Sequence, residues 1–190
     1  MKIAYDEYYQ TDNLFGKPYP ELIDFFTKEI KNGKVLDLGC GQGRDAIALA
    51  ELGFDVTGID YSQVGIDQMN EIAKAKKIPL KGLVADIFLF DDFGDYDVVL
   101  LNSMFHFAKN DKEKEIAFIK NIIAKIKQGS IIIFCIQDTG KKIKILNTVL
   151  SSEKLEYLED KKMKYTFEDK ETGHSSTSNY RMIVVKKSGY

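Results

Sequence analysis

The sequence predicts an α/β fold: a doubly wound, mostly parallel sheet of seven strands with helices on both faces and a C-terminal antiparallel hairpin. Short apolar runs alternate with segments of helical periodicity over most of the chain. The run Val35–Gly43 leads from an apolar strand into a turn with glycine at alternate positions, as in buried parallel strands. Two strand-like segments close the chain around a polar loop. A length of 190 residues suits one domain.

The first half of the chain alternates helices and strands with recognisable ends. Pro18 and Pro20 open a helix that Asn32 and Gly33 end, and Pro79 forbids continuation of a later helix that Ser62 caps. The predicted elements that follow the first helix are strand 34–38, helix 45–52, strand 55–59, a helix through Lys77 and strand 80–85.

The second half continues this alternation and then changes to strands. Asp111 is expected to cap a helix because isoleucines recur at helical spacing after it, and Gly129 is expected to stop that helix. The predicted elements are strand 96–101, this helix, strand 130–136, helix 141–151 and two final strands, 164–169 and 180–187, joined by the loop 173–178.

The glycine-rich turn predicts a nucleotide-like ligand. It lies at the carboxyl end of a strand and the amino end of a helix, where ligands bind in doubly wound sheets, and its glycines leave the backbone bare. A dinucleotide motif requires a third glycine to bring helix and strand together. Counted from Gly39 that place holds Arg44, whereas counted from Gly41 it holds Ala46, a permitted variant. A nicotinamide or flavin enzyme therefore stays an alternative.

The turn resembles motif I of the class I S-adenosylmethionine-dependent methyltransferases, an acidic residue followed by G-x-G-x-G. Asp37, Gly39, Gly41 and Gly43 occupy those places without a gap. The order of elements over residues 19–187 resembles the Rossmann-like fold of this family, in which the last strand inserts antiparallel to its neighbours. The run Gly41–Asp45 also resembles the tellurite-resistance branch of small-molecule methyltransferases. The resemblance implies S-adenosylmethionine as cofactor and S-adenosylhomocysteine as product.

Two aspartates that end predicted strands complete the expected cofactor site. Asp60 lies where a carboxylate meets the ribose hydroxyls, with an acidic residue that merely leaves a strand for a helix as the alternative. Tyr61 beside it offers its ring to adenine. Asp86 and the backbone amide of Ile87 can bind the edge of adenine, with a turn-capping aspartate as the alternative. In the family an acidic residue at the place of Asp37 lies near the cationic methionine end. The cofactor-binding set expected is Asp37, Gly39, Cys40, Gly41, Asp60, Tyr61, Asp86, Ile87 and Asn102.

The segment after the fourth strand carries the candidate catalytic residue. Asn102 can bind the methionine amino group or cap the strand end, and His106 can remove a proton from the acceptor. A packed loop histidine is the alternative for His106. Methyl transfer needs little acid or base help when the acceptor is already nucleophilic, because alignment and exclusion of water suffice.

Composition excludes several classes of function. No apolar run approaches the length of a membrane span, and the first residues lack the apolar core of a signal peptide, so the cytoplasm is the expected compartment.

The two cysteines and the charge distribution give no sign of a metal or of nucleic acid. Cys40 and Cys135 lack the spacing of a zinc site, so no metal is expected, and both cysteines are interpreted as small buried residues. Residues 1–95 carry a net charge of −7 (10 basic, 17 acidic) and residues 96–190 carry +5 (17 basic, 12 acidic). The lysines of the basic half are spread out, which favours a solvated surface over nucleic-acid binding.

The acceptor is expected to be a small molecule. The N/D-P-P-Y motif of amino-methylating DNA enzymes is absent, since Asn102-Ser-Met-Phe105 stands in its place, and neither cysteine is placed as a cytosine nucleophile. The alternatives are an RNA or protein methyltransferase and a cofactor-binding partner protein without catalysis.

Residues 1–18 are interpreted as a lid over the cofactor, with Tyr9 or Lys17 near it. The alternative is an aromatic segment that is packed on the sheet.

Overall fold

A computed structural model describes residues 5–11, 14–168 and 175–189. The chain divides into two compact units, Met1–Phe90 and Asp91–Tyr190. The expected lid falls partly outside the described residues. Within the described ranges no helix is long and apolar enough to cross a membrane.

The first unit alternates helices with three parallel strands. Its elements are α1 (Tyr5–Tyr8), α2 (Pro20–Glu29), β1 (Lys34–Leu38), α3 (Arg44–Glu51), β2 (Asp55–Asp60), α4 (Gln63–Lys76), β3 (Leu80–Val84) and a 3-10 helix (Ile87–Leu89). β2 pairs in parallel with both β1 and β3, with Gly58 opposite Asp37 on one side and Gly82 on the other. Val35, Leu36 and Leu38 are fully buried, as the apolar run predicts.

The second unit contains the remaining strands and two helices. Its elements are β4 (Val98–Asn102), α5 (Lys112–Lys125), β5 (Ile131–Gln137), α6 (Gly140–Ser151), β6 (Leu155–Glu168) and β7 (Ser175–Lys187). β4 and β5 are parallel, whereas β7 pairs antiparallel with both β5 and β6. The sheet order is β3-β2-β1-β4-β5-β7-β6, which confirms the predicted mostly parallel sheet of seven strands with a C-terminal antiparallel hairpin.

Capping residues explain where α4 begins and ends. The Ser62 hydroxyl accepts a hydrogen bond from the Gly65 amide, as predicted for an N-cap, and lies 3.1 Å from it. The helix ends at Lys76 because Lys77 turns into the left-handed region at φ 54° and Pro79 follows. The predicted helix is therefore confirmed to within one residue of its expected end.

The hairpin is the largest departure from prediction. The first of the two predicted strands, 164–169, begins too late in the chain, since β6 begins at Leu155. The predicted loop 173–178 is too long, because Ser175–Ser178 belong to β7. Charged residues such as Lys161 and Lys162 break the apolar alternation that marks a strand. A strand at the edge of a sheet tolerates such residues, and they protect it from pairing with other chains.

Smaller shifts affect the ends of other elements. β4 begins at Val98, two residues later than predicted, and α2 and α5 end at Glu29 and Lys125, before the glycines expected to stop them. The buried residues of α5 are Glu115, Phe118, Ile119, Ile122 and Ile123. A carboxylate therefore shares the inner face of a helix that was predicted from isoleucines alone.

Candidate functional site

The glycine-rich turn between β1 and α3 has a backbone that other residues rarely adopt. Gly39, Gly41 and Gly43 have φ values of 74°, 54° and 82°. The amides of Gly39 and Cys40 both donate to the Ile59 carbonyl, at 2.7 and 3.1 Å. The turn is thus bonded to the end of β2, and its left-handed backbone favours glycine at these alternate positions.

Asp60 accepts two backbone hydrogen bonds that the sequence did not predict. Its side chain is buried, with 8 % exposed, and its two oxygens accept from the Gly41 amide at 2.8 Å and the Ser62 amide at 2.9 Å. It therefore connects the glycine turn to the start of α4. A carboxylate oxygen has more than one acceptor position, so these bonds are compatible with a further hydroxyl donor.

Asp86 lies at the neighbouring strand end. The Ala85 amide donates to the Asp60 carbonyl at 2.9 Å, which joins the ends of β2 and β3. The Asp86 carboxylate accepts from the Phe88 amide at 2.9 Å, so the expected capping alternative is present in the structure. Ile87 is buried, and the Tyr61 side chain is 56 % exposed beside Asp60. The residues expected around adenine therefore gather at two adjacent strand ends.

Asp37 is a buried carboxylate in an acidic neighbourhood. It is 2 % exposed, and burial raises its pKa well above 3.8, with the negative charges of Asp45 and Asp60 acting in the same direction. The Arg44 guanidinium and the Ala46 amide oppose this rise. Arg44 forms two hydrogen bonds with Asp45, at 2.9 and 3.1 Å. Since an uncompensated buried charge is costly, Asp37 favours a cationic partner.

This arrangement predicts the effect of Asp37→Asn on stability. Because the folded state holds a proton on Asp37 more tightly than the unfolded state, stability falls as pH rises from 3.8 through the folded pKa. The amide removes that loss, so at neutral pH the unliganded variant should melt about 2–4 °C higher, the shift that ~1 kcal/mol produces in a chain of this size. The difference should disappear near pH 3. Thermal melting over this pH range tests it.

Asp55→Asn is the matched control, because it removes the same charge from an exposed position at the start of β2. An Asp37→Asn variant that is less stable than the wild type at neutral pH would contradict the account.

Cys40 belongs to the turn as a buried thiol. It is 8 % exposed, and burial together with the charges of Asp37 and Asp60 raises the pKa of the thiol well above 9.0. A protonated thiol is a poor nucleophile. Cys40 and Cys135 are both buried, as the sequence predicts, and no disulfide bond joins them.

The segment that precedes α2 packs against the glycine turn. The Tyr9 ring is 4 % exposed, and a side-chain carbon added at Gly41 would lie 2.6 Å from its hydroxyl oxygen. The side-chain amides of Gln42 and Gln68 donate to the Tyr9 carbonyl, at 3.4 and 2.8 Å. Asp6 accepts hydrogen bonds from the Ser62 hydroxyl and, at 3.3 Å, from the Val64 amide. These contacts join the segment to both sides of the turn.

Asn102 and His106 lie in the second unit. Asn102 is the last residue of β4, is 9 % exposed, and accepts from the Ser103 hydroxyl at 2.9 Å. His106 is exposed, and its backbone amide donates to the buried carboxylate of Glu115 at 3.2 Å. Sequence reasoning missed Glu115. The signal was present, since a glutamate four residues before Ile119 shares its helix face.

Comparisons with known proteins agree with this architecture. The family model for Tellurite resistance protein TehB matches residues 1–187. The probable S-adenosyl-L-methionine-dependent methyltransferase TehB of Haemophilus influenzae is 31 % identical over 121 residues, 60 % of this chain and 41 % of that protein. The ubiquinone biosynthesis O-methyltransferase of Rickettsia conorii is 30 % identical over 125 residues, 66 % of this chain and 42 % of that protein. The chain thus spans less than half the length of these relatives.

A solved structure extends the likeness in fold. The crystal structure of TehB from Haemophilus influenzae superposes with a TM-score of 0.72 at 22 % identity, covering 96 % of this chain and 65 % of that chain. At this identity the likeness supports the fold alone. It agrees with the mostly parallel seven-stranded sheet described above.

Proposed function

Because the chain belongs to the family described as Tellurite resistance protein TehB, within the class I S-adenosylmethionine-dependent methyltransferases, we propose that it transfers a methyl group to a small-molecule acceptor by direct in-line displacement. The observation that carries this proposal is the bond between Asp60 and Gly41, which fixes a bare glycine turn beside a buried carboxylate. Such a turn suits a ligand that combines a nucleoside with a charged chain.

The residues of the first unit fit S-adenosylmethionine. Asp60 and Asp86 supply carboxylate acceptors for the ribose hydroxyls and the adenine amino group, and Tyr61 supplies an exposed ring. The buried Asp37 carboxylate suits the positive charge of the methionine portion, because that charge would lower its raised pKa. When bound, the cofactor supplies a methyl group on a sulfonium with a good leaving group. Asn102 stays a proposed ligand of the methionine amino group.

Transfer of the methyl group to the acceptor requires few catalytic residues. The chain has to align the acceptor with the methyl carbon and exclude water. His106 is the proposed proton acceptor, since its side chain is exposed on the loop that follows the carboxyl end of β4, the edge at which ligands bind in doubly wound sheets. The naming of a relative as a ubiquinone biosynthesis O-methyltransferase supports a small-molecule acceptor. We also propose that the protein is located in the cytoplasm and that residues 1–190 form one domain.

The test is a transfer screen with a labelled methyl donor. Labelled S-adenosylmethionine is offered to the protein together with a metabolite extract, RNA or a protein extract. The proposal predicts label in the metabolite fraction. Label in RNA or protein would support the alternative acceptors instead, and no transfer to any fraction would support a cofactor-binding partner without catalysis.

We further propose that the segment containing Tyr9 acts as a lid that retains the cofactor. Its contacts with Ser62, Val64, Gln42 and Gln68 hold it on the glycine turn. The packed-segment alternative makes the same contacts but predicts no effect on ligand release.

Asp6→Ala separates these two hypotheses. Removing the carboxylate deprives the Ser62 hydroxyl and the Val64 amide of their acceptor. S-adenosylhomocysteine should therefore dissociate about 10-fold faster, the change that about 1.4 kcal/mol of lost charge-assisted hydrogen bonding produces. Stopped-flow fluorescence measures the rate. Glu7→Ala is the control, because Glu7 is an exposed carboxylate on the same short helix. Equal dissociation rates for Asp6→Ala, Glu7→Ala and the wild type would leave only the packed-segment alternative.

A further inference from the structure

The loop after β4 has an unusual backbone for a segment without glycine. Ser103 and Phe107 have φ values of 60° and 49°, in the left-handed region. The rings of Phe105 and Phe107 stack with centroids 5.9 Å apart and planes 12° apart. Phe105 also contacts Phe134 of β5, at 6.3 Å between centroids. The loop is therefore built around two buried rings, with His106 exposed between them.

Glu115 of α5 binds this loop with both oxygens. Oε1 accepts from the His106 amide at 3.2 Å, and Oε2 accepts from the Phe107 amide at 2.6 Å. The glutamate is 4 % exposed. The two bonds fix the orientation of the two peptide planes on either side of His106, and bonds to a charged acceptor are stronger than neutral ones.

A buried carboxylate at this place is costly for folding alone. An apolar residue would continue the inner face that Phe118, Ile119 and Ile122 form. The Glu115 carboxylate instead holds the backbone of the loop after β4 in a strained conformation. Proteins retain such conformations mainly at functional sites. Lys142 of α6 lies close enough for its charge to interact with Glu115, and its amino group donates to Gln137 at 3.0 Å. Glu115 therefore has a positive charge nearby.

We propose that Glu115 is a positioning residue that holds the loop of His106 in the conformation required by the methyl acceptor. The proposal rests on the proposed function, because it assigns the loop to the acceptor side. Glu115 acts through the backbone of the loop and does not touch the reacting atoms. Its loss should therefore lower turnover without weakening cofactor binding.

Glu115→Gln and Glu113→Gln form a matched pair. Both remove one negative charge from the first turn of α5, but the Glu113 side chain is 86 % exposed. In Glu115→Gln an amide nitrogen faces one of the two backbone donors, so hydrogen exchange at His106 and Phe107 should accelerate about 10-fold or more. With the acceptor found by the transfer screen, kcat/KM should fall at least ~10-fold, while S-adenosylhomocysteine affinity stays within about 2-fold of wild type. Glu113→Gln should change none of these.

Glu115→Asp provides the conservative variant. It keeps the charge on a shorter side chain that can reach one amide, so exchange and kcat/KM should lie between those of the wild type and Glu115→Gln. This variant also decides the proposal if Glu115→Gln does not fold. Faster loop exchange with unchanged kcat and KM would overturn the positioning role, and unchanged exchange would overturn the anchor itself. If the wild type transfers label to no fraction, the proposed function fails and the positioning role of Glu115 fails with it. Hydrogen exchange still decides whether Glu115 anchors the loop.

Discussion

Replacing Asp60 with alanine is expected to weaken S-adenosylhomocysteine binding by about 1–3 kcal/mol, or roughly 5- to 150-fold. The variant loses the proposed acceptor for the ribose hydroxyls, and it also loses the bonds to the Gly41 and Ser62 amides. The turn and the start of α4 then lose a common partner. The effect therefore combines a missing contact with a turn that is less well ordered before the ligand binds.

Asp60→Asn distinguishes these two contributions. Its carbonyl oxygen can accept from one of the two amides, so the turn keeps part of its support while the charge is lost. Isothermal titration calorimetry gives the affinities, and Asp55→Ala at the exposed start of β2 is the control. Unchanged affinity in a folded Asp60→Ala variant would remove Asp60 from the site.

Gly65→Ala is expected to destabilise the protein by about 1–3 kcal/mol, although glycine to alanine in a helix ordinarily stabilises. The added carbon would lie 2.8 Å from the Gly41 carbonyl oxygen and 3.1 Å from the Tyr9 ring. Backbone cannot move aside as a flexible side chain can. The first turn of α4 must therefore shift away from the glycine turn, and S-adenosylhomocysteine affinity should fall together with stability.

Gly140→Ala is the matched control for this prediction. Gly140 is the first residue of α6, and a carbon added there meets no atom within 4 Å. The Gly140→Ala variant should be as stable as the wild type or slightly more stable. Chemical denaturation of the two variants measures the difference, and a Gly65→Ala variant as stable as Gly140→Ala would show that α4 does not approach the turn this closely.

Local signals in the sequence were sufficient to predict most of the first unit. β1 was predicted without error because an apolar run is enclosed between Gly33 and Gly39, and α4 because Ser62 and Pro79 mark its ends. Each of these signals acts within a few residues. The positions of Asp60 and Asp86 followed from the strand ends, since parallel strands finish at one edge of a sheet.

Contacts between distant residues could not be predicted in this way. Asp6 and Ser62 are 56 residues apart, and no periodicity in the sequence joins them. The two bonds that Asp60 accepts from the backbone were not predicted, because the sequence does not show which amides lie within reach of a carboxylate at a strand end. Glu115 was missed because the helix was predicted from its isoleucines. The length of β6 was underestimated because its charged residues suit an edge strand.

The identity of the cofactor is tested most directly by calorimetry of the wild-type protein with S-adenosylmethionine, S-adenosylhomocysteine and NAD. The G-x-G-x-G turn places Arg44 where a dinucleotide motif, counted from Gly39, requires its third glycine. Both S-adenosyl compounds are therefore expected to bind more tightly than NAD. Tighter binding of NAD than of either compound would contradict the account.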